Sequence, residues 1–456
     1  MEIGKYIVDK ASKLGVDDAV VTITPSLTKQ IRFANNEITL STIWDTIDVE
    51  VFLAYKKRLI SSNLNNPSMS ETFSSIGGGT NLTKDDVDKF LGRMIKIAKV
   101  LAPKEDYHGI AQGPFKYNSI KDLHDKKIEN LGEKTVDFVE DAIDAAMNEG
   151  AKRCAGVLYS NLWEEQKFTS GGVEASDKGS SINFSIRAFA EKDASGHSVS
   201  VSRILNRFDA KKAGAEAGAL ARQSLNPVLG ESGKYDVIFG PMVAANLLYY
   251  MSYAFSAFEV DSGMSFLIDK VGKKVGNEKV TLVDDGRLAN GFESGMFDQE
   301  GVPTQTTKII ESGILKTYLH NTSTAKKFKV KTTANAGIIY PQPKNIILES
   351  GDSKLEEMIS EIKNGVYITN VWYTRFANYR TGDFSTIPRD AMFEIKNGKI
   401  ARPIKGLRLS DNMQHVLESI HAISKDSKTI QWWEVEIPVV TGHVLCKGLN
   451  MTKSAK

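Results

Sequence analysis

Apolar positions along the first hundred residues change period twice. Ile3, Tyr6, Ile7, Ala11 and Leu14 recur at helical spacing, and Gly15 follows as a stop. Three extended segments are predicted next. They are 19–24, 30–40 with a turn at Asn35-Asn36, and 47–60, where Ile47, Val49, Val51 and Leu53 alternate with polar or bulky neighbours. Residues 61–80 are rich in Ser, Asn and Gly and read as a loop. The run GGGT at 77–80 belongs to it and follows no clear strand, which argues against a phosphate cradle. Thr83 and Asp86 open a helix whose apolar face is Val87, Phe90, Leu91, Met94, Ile95, Ala98 and Leu101, closed by Pro103.

A second helix is predicted over 134–149, ending at Gly150. Sliding the chain by 135 residues lays Gly15 on Gly150, Leu27 on Leu162, Phe33 on Phe168 and Ile47 on Ile182. Val49 and Val51 then fall on Phe184 and Ile186, so the two halves share a helix-then-strands plan. An Ala-rich helix at 209–223 ends the second unit, and NPVLGESGKYD (226–236) is the best domain boundary. Beyond it come short strand patterns with Gly-containing turns and one prominent helix, 241–258. Shorter helices are predicted at 320–328, 353–363 and 412–423. The fold class is therefore α+β. Two small N-terminal helix-plus-antiparallel-strand units precede a large, mostly antiparallel β C-terminal domain, with domains at 1–80, 81–226 and 227–456.

Charge narrows the function classes. Lys plus Arg number 58 against 56 Asp plus Glu, and this near balance argues against a protein built to grip nucleic acid directly. No apolar run is long enough to span a membrane, and the first residues lack a signal-peptide core. Cys154 and Cys446 are too distant in sequence to suggest a disulfide framework, which fits a cytoplasmic location. None of the seven histidines sits in an HExxH-like pattern. His415 and His421, six apart, would stand about 240° apart on a helix. No GxSxG elbow or P-loop occurs.

The C-terminal half carries more specific words. DVIFGPMVAANLLYYMSYAFSAFEVDSGMSFL (236–267), FDQEGVPTQTTKIIESGILKTYLHNTSTAKKF (297–328), TTANAG (332–337), TGDFS (381–385) and NGKIARPIKGLRLS (397–410) occur in one order. Over 236–450 the chain resembles the third domain of the TldD/PmbA family, once called modulators of DNA gyrase. Catalytic TldD members carry His-Glu-x-x-x-His after a Gly-Pro…Leu-Leu run. Gly240, Pro241, Leu247 and Leu248 match that run here. The resemblance then places the two metal-ligand positions on Tyr249 and Ala254, and the base on Tyr250. A phenol with a pKa of about 10 is a poor zinc ligand, and alanine has no donor. The family's third ligand, a Cys, has no counterpart in TIQWWEVEIP (429–438).

The resemblance thus implies a TldE/PmbA-like subunit without its own metal or catalytic residues. It would partner a zinc-bearing TldD-like paralogue, or pair as a homodimer, in the hydrolysis of short or unfolded peptides. Tyr253 would join Tyr249 and Tyr250 either along a peptide groove or in a closed and filled pseudo-site. Asp298, Glu300 and Gly301 form the family's turn, with a structural capping role favoured over paired-carboxylate catalysis, and Asn335 and Asp383 are read in the same way. Two rival readings remain. One is a homodimeric peptidase whose metal is held by His320, His415 or His443, and the other a regulator of DNA topology.

Overall fold

The computed structural model describes residues 2–64 and 82–453. The 65–80 part of the predicted loop, GGGT included, lies outside the described residues. The N-terminal half is built from α1 (Glu2–Lys13), β1 (Asp18–Ala34), β2 (Glu37–Tyr55), β3 (Arg58–Asn63), α2 (Lys84–Ala98), α3 (Lys126–Glu129), α4 (Lys134–Asn148), β4 (Arg153–Thr169), β5 (Glu174–Glu191), β6 (Ala194–Ser202) and α5 (Ala210–Gln223). Its strands form one antiparallel sheet in the order β3-β2-β1-β4-β5-β6. The segments predicted at 19–24 and 30–40 are not separate strands before the turn, because β1 runs unbroken to Ala34. The turn falls at Asn35-Asn36 as predicted, with φ of 54° and 68°. The segment 47–60 conceals a second hairpin at Lys56-Lys57, with φ of 49° and 59°. Lysine carries no turn signature, so this turn is invisible to composition.

The 135-residue repeat has a structural counterpart. Shifting β1 by that amount reproduces the bounds of β4, and the two strands pair antiparallel with Leu27 opposite Leu162. The equivalent residues meet each other, so a local twofold axis passes through that pair. Val21 opposite Phe168 and Phe33 opposite Gly156 obey the same relation. Gly156 is required there, since a Cβ would lie 2.6 Å from the Phe33 ring.

Side-chain alternation separates the sheet's faces. Val21, Ile23, Val49, Val51 and Leu53 pack under α1 and α2, while Ile31, Phe33, Phe184 and Ile186 pack under α4 and α5. The capping box at Thr83 and Asp86 starts α2, whose side chains join the core of the first unit. Thr22, Gln30, Arg32, Asn183, Ser185 and Arg187 point the other way, toward the C-terminal half.

That half contains β7 (Val228–Leu229), β8 (Gly233–Phe239), α6 (Pro241–Ser252), α7 (Ala257–Asp261), β9 (Leu282–Asp285), β10 (Thr306–Glu311), β11 (Ile314–Leu315), α8 (Thr322–Phe328), β12 (Ile346–Leu348), α9 (Leu355–Ser360), β13 (Asn364–Asn378), β14 (Asp383–Lys396), β15 (Lys399–Lys405), β16 (Leu407–Asn412), α10 (Met413–Ser419), β17 (Ile420–Ile423), β18 (Lys428–Trp432), β19 (Val435–Thr441) and β20 (Val444–Lys453). The path β13-β8-β20-β16-β14 closes because β14 also pairs with β13, giving a small barrel. A second sheet runs β11-β10-β9-β12-β19-β18. Between them lies α6, buried from Met242 to Tyr249 and packed on β13 and β19.

Several predicted helices are shorter than expected, and the one at 353–363 spans only Leu355–Ser360. The 241–258 helix stops at Ser252, passes through a 3-10 turn at Tyr253–Phe255, and restarts as α7. Ser256 is extended there, donates from Oγ to Pro341 O at 3.1 Å, and bridges to Leu319. These tertiary bonds replace the helical ones. The 412–423 helix ends at Ser419, because Ile420–Ile423 is drawn into β17 against β20. No helix among the described residues is long and apolar enough to cross a membrane.

Candidate functional site

The end of α6 carries the positions singled out by the resemblance. Tyr249 is buried, and its hydroxyl meets that of Tyr253 at 2.8 Å and donates to Glu436 Oε2 at 3.3 Å. Burial, then the bond to Tyr253, raises its pKa above the ordinary phenol value, so it stays protonated. The Tyr249 ring meets those of Tyr250 and Tyr253 edge-on at 5.2 and 5.5 Å. Tyr250 accepts from Arg375 Nη1 at 3.2 Å. Ala254 is buried, and its carbonyl accepts from Ser265 Oγ. Only Tyr253 is substantially open. It borders a cavity of about 310 Å³ shared with Ser252, Ser256, Glu259, Glu293, Lys344 and Glu436. Zinc held by three protein ligands finds no fit at this helix. Its side chains supply protonated phenols and a methyl group, with Glu436 the one carboxylate on Tyr249.

The histidine alternative does not assemble either. His320 is buried beside the rings of Tyr318 and Phe328, His415 bonds Asp411 at 2.7 Å, and His443 meets Tyr367 at 3.3 Å. Each sits in a different place, and no group of three or more His, Cys, Asp or Glu among the described residues stands close enough to hold a metal.

Asp298 caps its turn. Its Oδ1 accepts from the backbone N–H of Glu300 and Val302, both at 2.9 Å, and its Oδ2 from that of Ala336 at 3.0 Å. Gly301 takes φ of +81°, as the turn demands, and its carbonyl accepts from Tyr117 Oη. Glu300 is buried beyond this turn, with Oε2 unpartnered. Burial first, and the charge of Asp298 second, raise its pKa well above the usual carboxylate range. Asn335 Nδ2 bonds the buried Asp284, whose pKa burial pushes up to about 6. Asp383 accepts from Asn412 Nδ2 and Thr381 Oγ1 and braces the β13–β14 hairpin. Asp298, Asn335 and Asp383 are thus engaged in local hydrogen bonds, whereas Glu300 keeps an unpartnered carboxyl oxygen.

A larger cavity, about 640 Å³, escaped the sequence reading. It lies between the outer sheet face and the C-terminal half, lined by Arg32, Asn183, Arg187, His197, Arg389 and Trp433 among others. Cross-strand pairs build its wall, Arg32 opposite Val157 and Arg187 opposite His197. Because those residues come from four strands, only the register brings them together.

Ser185, His197 and Asn370 superficially resemble a hydrolytic relay. Val371 N–H donates to Asn370 Oδ1 at 2.9 Å, so the amide nitrogen of Asn370 faces His197 Nδ1 at 3.1 Å. Nδ1 is then the acceptor, and Nε2–H donates to Ser185 Oγ at 2.9 Å. Burial pushes the His197 pKa down to about 4. A neutral imidazole that donates to the serine cannot take its proton. The relay is structural.

A small barrel and a second sheet with a buried helix between them, joined to an antiparallel hairpin sheet whose two central strands are related by a local twofold, define the class. The PmbA/TldA metallopeptidase C-terminal domain matches residues 232–453, and the central domain matches 128–225. The chain belongs to the PmbA/TldD family. It is 31% identical to a metalloprotease of Methanothermobacter thermautotrophicus over 49% of this chain and 50% of that one. It is 28% identical to the metalloprotease PmbA of Escherichia coli O157:H7 over 49% of each. These alignments thus span about half the length of the relatives they match. The structure of TldE from Thermococcus kodakarensis has a TM-score of 0.84 and 20% identity, covering 98% of this chain and 99% of that one. At that identity the likeness is one of fold.

Proposed function

We propose that this chain is a TldE/PmbA-like, non-catalytic subunit of a cytoplasmic peptidase of the TldD/TldE type. It pairs with a paralogue bearing the His-Glu-x-x-x-His helix, which supplies the zinc and the general base. The observation that carries this reading is the Tyr249-Tyr253-Glu436 bonding at the end of α6. There the family's ligand and base positions are filled by hydrogen-bonded phenols and a methyl group. A TldD-like partner would place its metal against a surface formed by this chain, and short or unfolded peptides would be cut there.

The test uses purified chain, purified paralogue and their mixture, with a denatured protein and short peptides as substrates. The expected result is zinc-dependent cleavage by the mixture, with at least about a hundredfold less from this chain alone, the scale set by loss of a general base. Robust zinc-dependent cleavage by this chain alone overturns the reading.

A further inference from the structure

The 640 Å³ cavity has a polarity that none of its known neighbours uses. Arg187 is committed, with Nε on Asp390 Oδ1. Asp390 is itself saturated by Ser195 Oγ and Asn370 Nδ2. Arg389 is different. Its guanidinium lies flat over Trp372 at 3.5 Å and has no hydrogen-bond or ion-pair partner among the described residues. Burial, and then the charge of Arg187, disfavour its charged form. Arg32, on the opposite wall, is exposed and likewise unpaired. The lining therefore presents two guanidinium groups that make no hydrogen bond or ion pair among the described residues, although the charges of Asp390 and Glu434 act on Arg389.

Two further atoms lack partners. Trp432 is 8% exposed, and its buried Nε1–H has no acceptor. Asn183 Oδ1 is buried with no donor, while its Nδ2 is already given to Gln431. Beside them Trp433 leaves 62% of its surface open. One free donor and one free acceptor match the C=O and N–H of a peptide unit. Trp433 offers a flat apolar surface for a side chain.

We infer that this cavity binds the carboxyl terminus of a peptide whose last side chain is apolar or aromatic. Its carboxylate lies between Arg389 and Arg32, its final amide unit is held by Trp432 and Asn183, and its side chain stacks on Trp433. The β18–β19 hairpin carries Trp432 and Trp433 into this cavity, and Glu436 to the phenol of Tyr249. A peptide end seated here therefore lies one hairpin from the helix where relatives carry their metal motif. The inference rests on the peptide-handling reading only for its choice of ligand. Its test needs this chain alone, so it succeeds or fails independently of cleavage by the paralogue mixture.

The experiment titrates N-acetyl-Gly-Gly-Phe, its C-terminal amide and inorganic phosphate against the full chain, followed by tryptophan fluorescence. The free acid should bind saturably and the amide at least about tenfold more weakly, the effect of losing a charge-assisted pair. Arg389→Gln should weaken the acid about tenfold and leave the amide unchanged. Trp433→Ala, at an exposed position that tolerates truncation, should weaken both. Equal binding of acid and amide, phosphate displacing the acid at similar concentration, or no effect of either substitution overturns the assignment.

Discussion

Among single residues, Glu300 gives the sharpest forecast. Its folded pKa lies above the value of an unfolded glutamate, so the native state holds the proton more tightly. Stability is then greatest below the unfolded pKa and is lost as pH rises from the acidic range toward the folded value. Glu300→Gln keeps the shape and cannot ionise. It should raise the melting temperature at pH 8, change it little at pH 5, and flatten the profile between. Thermal unfolding of both proteins from pH 5 to 8.5 checks this, and parallel profiles would show that Glu300 is not protonated in the fold. The same residue shows what a sequence can reveal at this scale. The Asp298–Gly301 turn was readable because Asp and Gly are turn formers with a stated mechanism. The burial of Glu300 was not, since the groups that bond its carboxyl, at Thr322 and Ala111, are distant in sequence from the turn.

At the scale of elements, the packing of α5 on α4 depends on absent side chains. A Cβ on Gly214 would fall 2.0 Å from Ala142 O, and one on Gly218 2.4 Å from Ala146 O. The two helices touch backbone to backbone, which is why the Ala-rich pattern at 209–223 could be read as a helix but not as a tight seam. Gly218→Val should destabilise the N-terminal half by about 1–3 kcal/mol through overpacking. Urea unfolding checks it, and the substitution should leave pairing with a paralogue unaltered at temperatures where the half stays folded. Legibility followed the same rule in the strands. Asn35-Asn36 announced its turn, whereas Lys56-Lys57 adopts the same backbone sign from residues with no such preference. The 241–258 helix was overextended because its sequence remains helix-compatible past Ser252. Tertiary bonds interrupt it, from Ser256 to Pro341, from Ala257 to Leu319 and from Leu319 back to Phe255. The positions matched to the metal motif could be proposed from sequence because a motif fixes its own spacing along one helix. The large cavity was missed because its walls come from strands whose register no local pattern encodes.

For the whole molecule, the question is what joins the hairpin sheet to the C-terminal half. Arg203 is among the largest side chains that are fully buried, and it makes no ion pair with a carboxylate among the described residues. Its Nε donates to Ser180 O, Nη2 to Leu123 O, and Nη1 to the carbonyls of Gly291, Phe292 and Ser294, with its plane over Trp163 at 4.6 Å. Burial depresses its pKa to about 10, still well above neutral, so the guanidinium stays charged, stabilised by carbonyl dipoles and by the charges of Glu293 and Asp177. Lys167 repeats the device nearby, reaching Thr22, Gln299 and Glu165 from a fully buried site. Two cations from the sheet thus bind loops of the other half, and both are shielded from salt. Arg203→Met retains much of the volume but orphans those carbonyls, at a cost of at least about 3 kcal/mol. If the seam is what makes the two halves melt together, the variant should show two calorimetric transitions where the parent shows one, and raising ionic strength should not reproduce the split. A single transition shifted uniformly downward would place the coupling elsewhere along the interface, at Arg187–Asp390. The large cavity lies at that point, and there loosening the seam would open the proposed peptide site as well.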